Sequence, residues 1–319
     1  AEMANLYDRL GQVAEAIGCH ATVVHTLETA AAAATAAAAA DDDDSEPVAV
    51  AAHPDCLTSA AAAAAPLLTK TCLIRKLPTS SHANGHLDLR VAVVGNVDAG
   101  KSTLVGVLTG PVSFLDDGRG RARSRVLRHK HEAETGRTSS IAEDQHMRLS
   151  SRGDCLALEK HAKPAADAPP PAKVVSFIDL AGHERYLRTT VYGLTAHEPD
   201  YVMVVVGANH GITRMTKEHV GMAIALNVPP FVGVTKTDLC PEPVMKETMR
   251  QLSRLLKMPG ARKQPYLVRK MDELVLAVRS FGRTAVTPIF CISSVDGTNV
   301  PLLREFFNLM PARRAWAAH

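Results

Sequence analysis

LRVAVVGNVDAGKST, residues 89–103, is the most informative stretch of this sequence. Its first half, Leu89–Gly95, is a mostly apolar run, which predicts a parallel strand buried on both faces. Its second half, Gly95–Ser102, has the form G-x-x-x-x-G-K-S, the pattern of a phosphate-binding loop between a strand and a helix. The glycines let successive backbone amides converge on phosphates, and the following helix directs its positive end at them. The stretch therefore predicts a nucleotide-phosphate site.

Residues of this loop are assigned to the nucleotide by their positions in the pattern. Lys101 would reach the β- and γ-phosphates, so we also count it as catalytic, and the Ser102 hydroxyl would ligate Mg²⁺. The predicted nucleotide-binding residues of the loop are Gly95, Asn96, Val97, Asp98, Ala99, Gly100, Lys101, Ser102 and Thr103.

From residue 86 onward, short apolar runs alternate with helical patterns. The expected strands are Leu89–Gly95, Val174–Leu180, Tyr201–Gly207, Phe231–Thr235 and Thr287–Ile292. The expected helices are Lys101–Leu108, Arg185–Leu194, Lys217–Asn227, Pro243–Leu256, Met271–Arg279 and Pro301–Leu309. This rhythm predicts a doubly wound α/β fold with a mostly parallel sheet and ligands outside the carboxyl ends of the strands. The proline-rich stretch Lys160–Lys173 is interpreted as a surface insertion.

Residues 1–85 have a different composition and predict a small N-terminal α+β appendage with an Ala/Asp-rich, low-complexity linker. The appendage would contain a helix at Leu6–Ala16, a β-branched run at Ala21–Leu27 and a strand at Cys72–Leu77. The linker would contain alanines 30–40, the acidic run Asp41–Asp44 and alanines 60–65.

The end of the strand Val174–Leu180 carries a second group of candidate residues, Asp179-Leu180-Ala181-Gly182-His183. An aspartate beside a phosphate loop can hold Mg²⁺, usually through water. The Gly182 amide is placed to sense the γ-phosphate, and His183 would project towards the attacking water as a catalytic residue. An alternative stays open for His183, which as a polar residue can instead cap the following helix.

Two further strand ends predict contacts with a guanine base. In Thr235-Lys236-Thr237-Asp238, the carboxylate can accept both the ring N–H and the exocyclic amine of guanine, a pair of donors that adenine lacks. The alkyl stem of Lys236 can cover the face of the base. After the last strand, a backbone amide of Ser293-Ser294-Val295 could meet the guanine carbonyl oxygen. The base-binding residues are therefore expected to be Thr235, Lys236, Asp238, Ser293, Ser294 and Val295.

With these residues identified, the segment Leu89–Pro311 resembles the G domain of the elongation factor Tu superfamily of translational GTPases, and most of all the GTP-binding protein 1 and 2 subfamily. The matching strings are GNVDAGKSTLVGVLTG, RHKHEAETGRTSSI, FIDLAGHERYLRTTVYGLT and GITRMTKEHVGMAIALNVP. The resemblance implies a P-loop NTPase G domain over residues 86–319. The family continues into two β-barrel domains, II and III, which are absent from this sequence, so we expect a truncated product or a fragment.

The resemblance also implies an activity and a set of roles. It implies a Mg²⁺-dependent GTPase that cycles between GTP and GDP, with Thr138 as the switch I threonine that ligates Mg²⁺. Asp179 and Gly182 match the switch II aspartate and glycine, and His183 matches the histidine that positions the hydrolytic water. The metal ligands are thus expected to be Ser102, Thr138 and Asp179.

The sequence departs from the family pattern at two positions. Most GTPases have asparagine where this chain has Thr235, and threonine lacks the amide that braces the phosphate loop and contacts the base. We therefore expect modest affinity, with selectivity kept by Asp238. Arg137 stands where elongation factor Tu has an apolar gate residue, opposite the residue matched by Val97, and is predicted to approach phosphate or a partner.

The composition of the chain limits the classes of partner that it is expected to bind. A net charge of +3 is too mild to require a polyanion, and 4% aromatic residues argue against a stacking surface for single strands. The basic segment Arg119–His131 lies in switch I territory, and the resemblance implies contact with ribosomal RNA there; a solvated charged helix is the equal alternative. We expect no membrane partner, no DNA partner and a cytoplasmic location.

Two functional hypotheses follow. The first is a translation-factor-like GTPase acting on or near ribosomes. The second is a GTP-sensing scaffold, or a non-productive truncated form without the partner-binding barrels. An ATP-dependent enzyme is disfavoured by Asp238 and by the Asp179-to-His183 string.

Overall fold

The structure of the protein is a computed structural model. It describes residues 8–14, 19–29, 67–76, 86–127, 132, 138, 141–156, 170–282 and 284–313. The chain divides into two compact units, one made of residues 1–22 and 74–319 and the other of residues 23–73.

Seven strands of the larger unit form one sheet in the order β4-β5-β3-β6-β7-β9-β8. Their bounds are β3 Leu87–Gly95, β4 Ala142–Leu149, β5 Lys173–Asp179, β6 Tyr201–Gly207, β7 Pro230–Thr235, β8 Gln264–Leu267 and β9 Val286–Cys291. All neighbouring pairs are parallel except β4 and β5, which are antiparallel. The predicted doubly wound, mostly parallel α/β fold is thus confirmed.

Six α-helices with described bounds accompany the sheet. They are α1 Lys101–Thr109, α2 Leu187–Ala196, α3 Arg214–Ala225, α4 Glu242–Lys257, α5 Met271–Ser280 and α6 Val300–Leu309. Buried side chains of α1, α5 and α6, such as Leu104 and Phe306, pack in one core cluster with Val91 and Val93 of β3. Buried side chains of α2, α3 and α4 pack in a second cluster, which includes Ala92 and Val94 of the same strand. Because alternate residues of β3 enter different clusters, the two clusters cover opposite faces of the sheet.

The register of the central strands positions the site. Strand β3 pairs with β5 so that Val93 lies beside Asp179, and with β6 so that Gly95 lies beside Val205. A Cβ atom at Gly95 would lie 2.2 Å from the Val205 carbonyl oxygen, so only glycine fits there. The phosphate-loop pattern therefore begins at the carboxyl end of the sheet, next to the strand that ends in Asp179.

Strands β1, Cys19–Thr29, and β2, Leu67–Lys76, form a separate two-stranded sheet, and residues 8–14 are helical. Strand β2 begins five residues before the expected Cys72–Leu77. The alanine runs and Asp41–Asp44 lie outside the described residues. The expected domain boundary after residue 85 falls among them too, and it stays a prediction.

Two edge strands were missing from the expectations. In β4, AEDQHMRL, only Ala142, Met147 and Leu149 are buried, and β8 is a four-residue strand containing a proline. Both are the outermost strands of the sheet, so neither needs the continuous apolar run by which central strands are recognised. Helix α3 starts at Arg214, three residues before the expected Lys217, because the Thr213 side chain accepts from the Thr216 amide and caps it. In the described part of the chain, no helix has the length and hydrophobicity to cross a lipid bilayer.

Candidate functional site

A cavity of about 490 Å³ opens where the phosphate loop meets the loops that follow β5, β7 and β9. Most of the predicted site residues line it: Val97, Asp98, Gly100, Lys101, Ser102, Thr103, Thr138, Gly182, His183, Thr235, Lys236, Asp238, Ser294 and Val295. Five predicted residues do not line the cavity: Gly95, Asn96, Ala99, Asp179 and Ser293. The structure therefore brings together residues from five separate segments of the chain.

Lys101 is held by the backbone of its own loop. Its ammonium donates to the carbonyls of Gly95, at 3.2 Å, and Asn96, at 2.9 Å, and the residue is only 7% exposed. Burial lowers the pKa of the Lys101 ammonium, and the carboxylates of Asp179 and Asp98 oppose that shift. Gly95 and Asn96 thus serve the site through their carbonyls, as holders of a buried cation.

Three oxygen-bearing side chains meet beside Lys101. The Ser102 hydroxyl donates to Asp179 Oδ2 at 2.6 Å, and Thr138 Oγ1 lies 2.9 Å from Ser102 Oγ and 3.5 Å from the same carboxylate oxygen. Asp179 is fully buried, and its Oδ1 atom has no hydrogen-bond partner among the described residues. Burial raises the pKa of the Asp179 carboxyl, whereas the Lys101 charge and the hydroxyl donors lower it.

The donor set of this cluster suits Mg²⁺. Magnesium binds through carboxylate, hydroxyl and water oxygens, and a buried carboxylate oxygen without a partner is costly unless a cation or donor reaches it. The structure thus places Ser102, Thr138 and Asp179 within reach of one another, as the expected metal ligands require.

Gly182 packs directly against the phosphate loop. A Cβ atom built on it would lie 2.4 Å from Lys101 Nζ, 2.5 Å from the Gly95 carbonyl oxygen and 2.8 Å from the Asn96 carbonyl carbon. Any side chain would therefore separate the segment after β5 from the loop. This close approach is why the position requires glycine.

His183 is exposed and lines the cavity, and it also caps a short turn. Its Nδ1 atom accepts from the Arg185 amide at 3.1 Å at the start of the 3-10 turn Glu184–Tyr186. A neutral ring that accepts at Nδ1 carries its proton on Nε2. The capping alternative for His183 is therefore present in the structure, and the same ring borders the cavity.

Thr235 braces the phosphate loop through its hydroxyl, although it lacks the amide found in most GTPases. Its hydroxyl donates to the Ala99 carbonyl at 2.5 Å, with the Val206 carbonyl 3.3 Å away, and the residue is 2% exposed. A hydroxyl on this buried strand end therefore reaches the loop backbone without the amide. The modest nucleotide affinity expected from the sequence stays a prediction.

We predict that Thr235→Val, which keeps the shape but removes the hydroxyl, lowers stability by about 1–2 kcal/mol. The buried Ala99 carbonyl would lose its donor, and the loosened loop should bind GDP about tenfold more weakly. Urea unfolding and GDP titration measure the two effects. Thr235→Ser keeps the hydroxyl and serves as the control; equal losses in both variants would contradict a role for the hydrogen bond.

Ser293 shapes the loop after β9 and does not line the cavity. Its buried hydroxyl accepts from the amides of Val295 and Asp296, both at 3.3 Å, so the Val295 amide is already engaged. The Ser294 carbonyl accepts from the Asp116 amide at 2.9 Å. Of the three residues expected to meet the base, Ser294 and Val295 therefore face the cavity while Ser293 holds them in place.

Several residues of the cavity wall were not expected there. They are Asp116, Gly118, Arg119, Gly120, Arg123, Arg185, Tyr186 and Leu239. Within the basic segment, residues 123–125 form only a 3-10 turn, so the solvated-helix alternative does not hold for the described part, 119–127. The only feature of the sequence that pointed to this segment was its density of arginines, and that density does not show which way each side chain points. Residues 128–131 and Arg137 lie outside the described residues.

Comparison with known proteins gives consistent matches. The family described as "Elongation factor Tu GTP binding domain" matches residues 88–312. The chain is 49% identical over 250 residues to GTP-binding protein 1 of Xenopus laevis, covering 76% of this chain and 36% of that protein. It is 47% identical over 240 residues to GTP-binding protein 2 of Homo sapiens, covering 75% and 39%. The chain thus spans less than two fifths of the length of these relatives.

Among solved structures, the chain is similar to translation elongation factor SelB from Methanococcus maripaludis in complex with the GTP analogue GppNHp. The TM-score is 0.44 and the identity 20%, with 74% of this chain and 37% of that chain covered.

Proposed function

The chain belongs to the family of the elongation factor Tu GTP-binding domain, and we propose that it is a Mg²⁺-dependent GTPase that hydrolyses GTP to GDP and phosphate. One observation carries the proposal. A single cavity has Lys101 and the Ser102–Thr138–Asp179 cluster on its phosphate side and the loops of Asp238 and Ser294 on its base side.

Guanine selectivity follows from the loops after β7 and β9. Asp238 is an exposed carboxylate on the cavity wall, and a carboxylate can accept two hydrogen bonds from guanine that adenine cannot donate. Lys236, whose φ is +59°, takes a left-handed conformation in the same turn. Its alkyl stem can then cover the base, as the sequence suggests.

Phosphate binding follows from the loop around Lys101. The Lys101 ammonium now donates to the carbonyls of Gly95 and Asn96, and phosphate oxygens would accept these hydrogen bonds in their place. Ser102, Thr138 and Asp179 would hold Mg²⁺, which when bound supplies positive charge beside the phosphates. A bound phosphate would also favour the charged form of the buried Lys101, since an anion opposes the effect of burial on its pKa.

Hydrolysis would depend on the segment after β5. Gly182 touches the phosphate loop, so this segment is placed to respond to a γ-phosphate. His183 borders the cavity and would orient the attacking water, with the proton of its neutral ring on Nε2. We expect slow turnover in isolation, on the order of 10⁻⁴ to 10⁻² s⁻¹.

The test compares His183→Ala with His183→Asn in single-turnover GTP hydrolysis. Asparagine is a good cap and can keep the acceptor for the Arg185 amide, whereas alanine cannot. Both variants should hydrolyse GTP about 100-fold more slowly than the wild type, because neither retains the imidazole. GTP affinity should change by less than about threefold, since the ring is not assigned to binding. A wild-type rate in His183→Asn would show that capping alone is the role of this residue.

The capping contact also favours a second candidate function. If His183 serves the turn and not the water, the chain is a GTP-sensing module whose hydrolysis is incidental. For the main proposal, we further propose a cytoplasmic location and an action on or near ribosomes. Family membership supports both. Stimulation of GTP hydrolysis by added ribosomes would separate the GTPase from the sensing module.

A further inference from the structure

A segment outside the phosphate loop forms part of the cavity wall. We call residues Asp116–Arg123, which follow α1, the arginine loop. Asp116, Gly118, Arg119, Gly120 and Arg123 of this loop line the cavity. Two arginines, Arg119 and Arg123, thus line a cavity whose proposed ligand carries phosphates, and neither has a role in the function proposed above.

The arginine loop is anchored by its first residue. Asp116 donates its amide to the Ser294 carbonyl at 2.9 Å, and its carboxylate accepts from the amides of Gly118, at 3.2 Å, and Ala122, at 2.7 Å. The residue is 9% exposed. A buried carboxylate therefore holds both ends of the loop, and the loop is tied to the base side of the cavity through Ser294.

The other end of the arginine loop packs on α1. A Cβ atom at Gly106 would lie 2.1 Å from the Ala122 carbonyl oxygen, so glycine in the second turn of α1 lets the loop approach. The loop therefore lies between the base side of the cavity and the helix that begins at Lys101.

Within the arginine loop, the orientation of Arg123 is set by a glycine. Gly120 has φ +99°, and a Cβ atom there would lie 2.5 Å from Arg123 Nε and 3.0 Å from its guanidinium carbon. The half-buried guanidinium thus lies across the loop backbone, at the cavity wall. Neighbouring arginines point elsewhere: the guanidinium carbons of Arg121 and Arg125 lie 5.4 Å and 5.1 Å from the ring centre of Phe114.

We propose that Arg123, assisted by the more exposed Arg119, binds the phosphates that GDP and GTP share, next to the ribose. This inference rests on the proposed function. A guanidinium presents paired donors that match phosphate oxygens, and a site that excludes part of the solvent strengthens such bonds. The anchors at Ser294 and Gly106 place the loop toward the nucleoside, so its arginines act on both nucleotides and not on the γ-phosphate alone.

Equilibrium titration of Arg123→Ala with Mg²⁺–GDP and with a non-hydrolysable GTP analogue tests this inference. Both nucleotides should bind about tenfold more weakly, because one charge-assisted hydrogen bond is lost. The loss should shrink as salt is raised.

Arg121→Ala is the matched control, because it removes the same charge from the same loop while its side chain lies against Phe114. It should bind both nucleotides as the wild type does. Gly120→Ala keeps every charge but displaces the Arg123 guanidinium. It should therefore weaken the binding of both nucleotides, as Arg123→Ala does.

Each other result would overturn the inference. Unchanged affinity in Arg123→Ala, with Arg121→Ala identical, would show that the guanidinium does not touch the nucleotide. A loss confined to the GTP analogue or to turnover would assign Arg123 to the γ-phosphate. A wild-type protein that binds no guanine nucleotide would instead refute the proposed function, so the two failures are distinguishable.

Discussion

Lys101→Ala is expected to weaken binding of both GDP and GTP by about 150- to 4,000-fold. Lys101 is nearly buried, and its ammonium donates to two carbonyls of the loop. In such surroundings the attraction between ammonium and phosphate is strong, and removing one partner of a buried charge pair costs about 3–5 kcal/mol. Isothermal titration with each nucleotide measures the loss.

Lys246→Ala is a matched control for this prediction. Lys246 is exposed and pairs with Glu242 at 2.7 Å on the surface of α4, so its removal should leave affinity unchanged. Thermal unfolding of both variants separates lost binding from lost folding. Retained nucleotide affinity in a folded Lys101→Ala protein would contradict the assignment of the phosphate site.

Gly182→Ala is expected to slow GTP hydrolysis by about 5- to 150-fold while leaving GDP affinity within about threefold of the wild type. The added methyl group would stand within 2.5 Å of Lys101 Nζ and the Gly95 carbonyl oxygen, so the segment after β5 must move away from the loop. Overpacking of this kind costs about 1–3 kcal/mol. This free energy should mainly destabilise the GTP-bound protein, in which the segment is proposed to respond to the γ-phosphate.

Gly221→Ala in α3 provides the control, because a Cβ atom there meets nothing within 4 Å. Alanine inside a helix should stabilise the protein by about 0.5–1 kcal/mol and leave hydrolysis unchanged. Single-turnover hydrolysis and GDP titration on both variants complete the comparison. Normal hydrolysis by Gly182→Ala would mean that the contact seen here is not needed for the reaction.

The central part of the fold could be predicted because its signals are local. Strand β6, YVMVVVG, is buried at every position, and only a strand covered on both faces tolerates such a run. The edge strands β4 and β8 gave no such signal, since neither contains a continuous apolar run. Their pairing depends on the assembled sheet, which no short window of sequence contains.

A buried lysine shows a second limit of the sequence. Lys173 closes the stretch interpreted as a surface insertion, yet it begins β5 and is 1% exposed. Its ammonium donates to the carbonyls of Phe307, Asn308 and Met310 at the end of α6. Carbonyls at a helix C-terminus attract a cation, but the partners are more than 130 residues away, so the interpretation as surface was wrong for this residue.

Within the site, the spacing of glycines and lysine was enough to locate the phosphate loop. Asp179 and Gly182 were found from their place at a strand end, and Thr138 was found through the resemblance. Each of these residues lies in a specific motif. The bracing role of Thr235 and the direction of Arg123 were missed for a common reason. Each depends on which backbone atom a side chain reaches across the fold, and the residue type alone does not specify that atom.

The most direct test of the account is an equilibrium titration of the wild-type chain with GDP, a non-hydrolysable GTP analogue and ADP in parallel, with and without Mg²⁺. Both guanine nucleotides should bind, more strongly with Mg²⁺, and ADP should bind at least about 100-fold more weakly, because adenine cannot donate the two hydrogen bonds that Asp238 accepts from guanine. Equal binding of ADP and GDP, or no binding of either guanine nucleotide, would contradict this prediction.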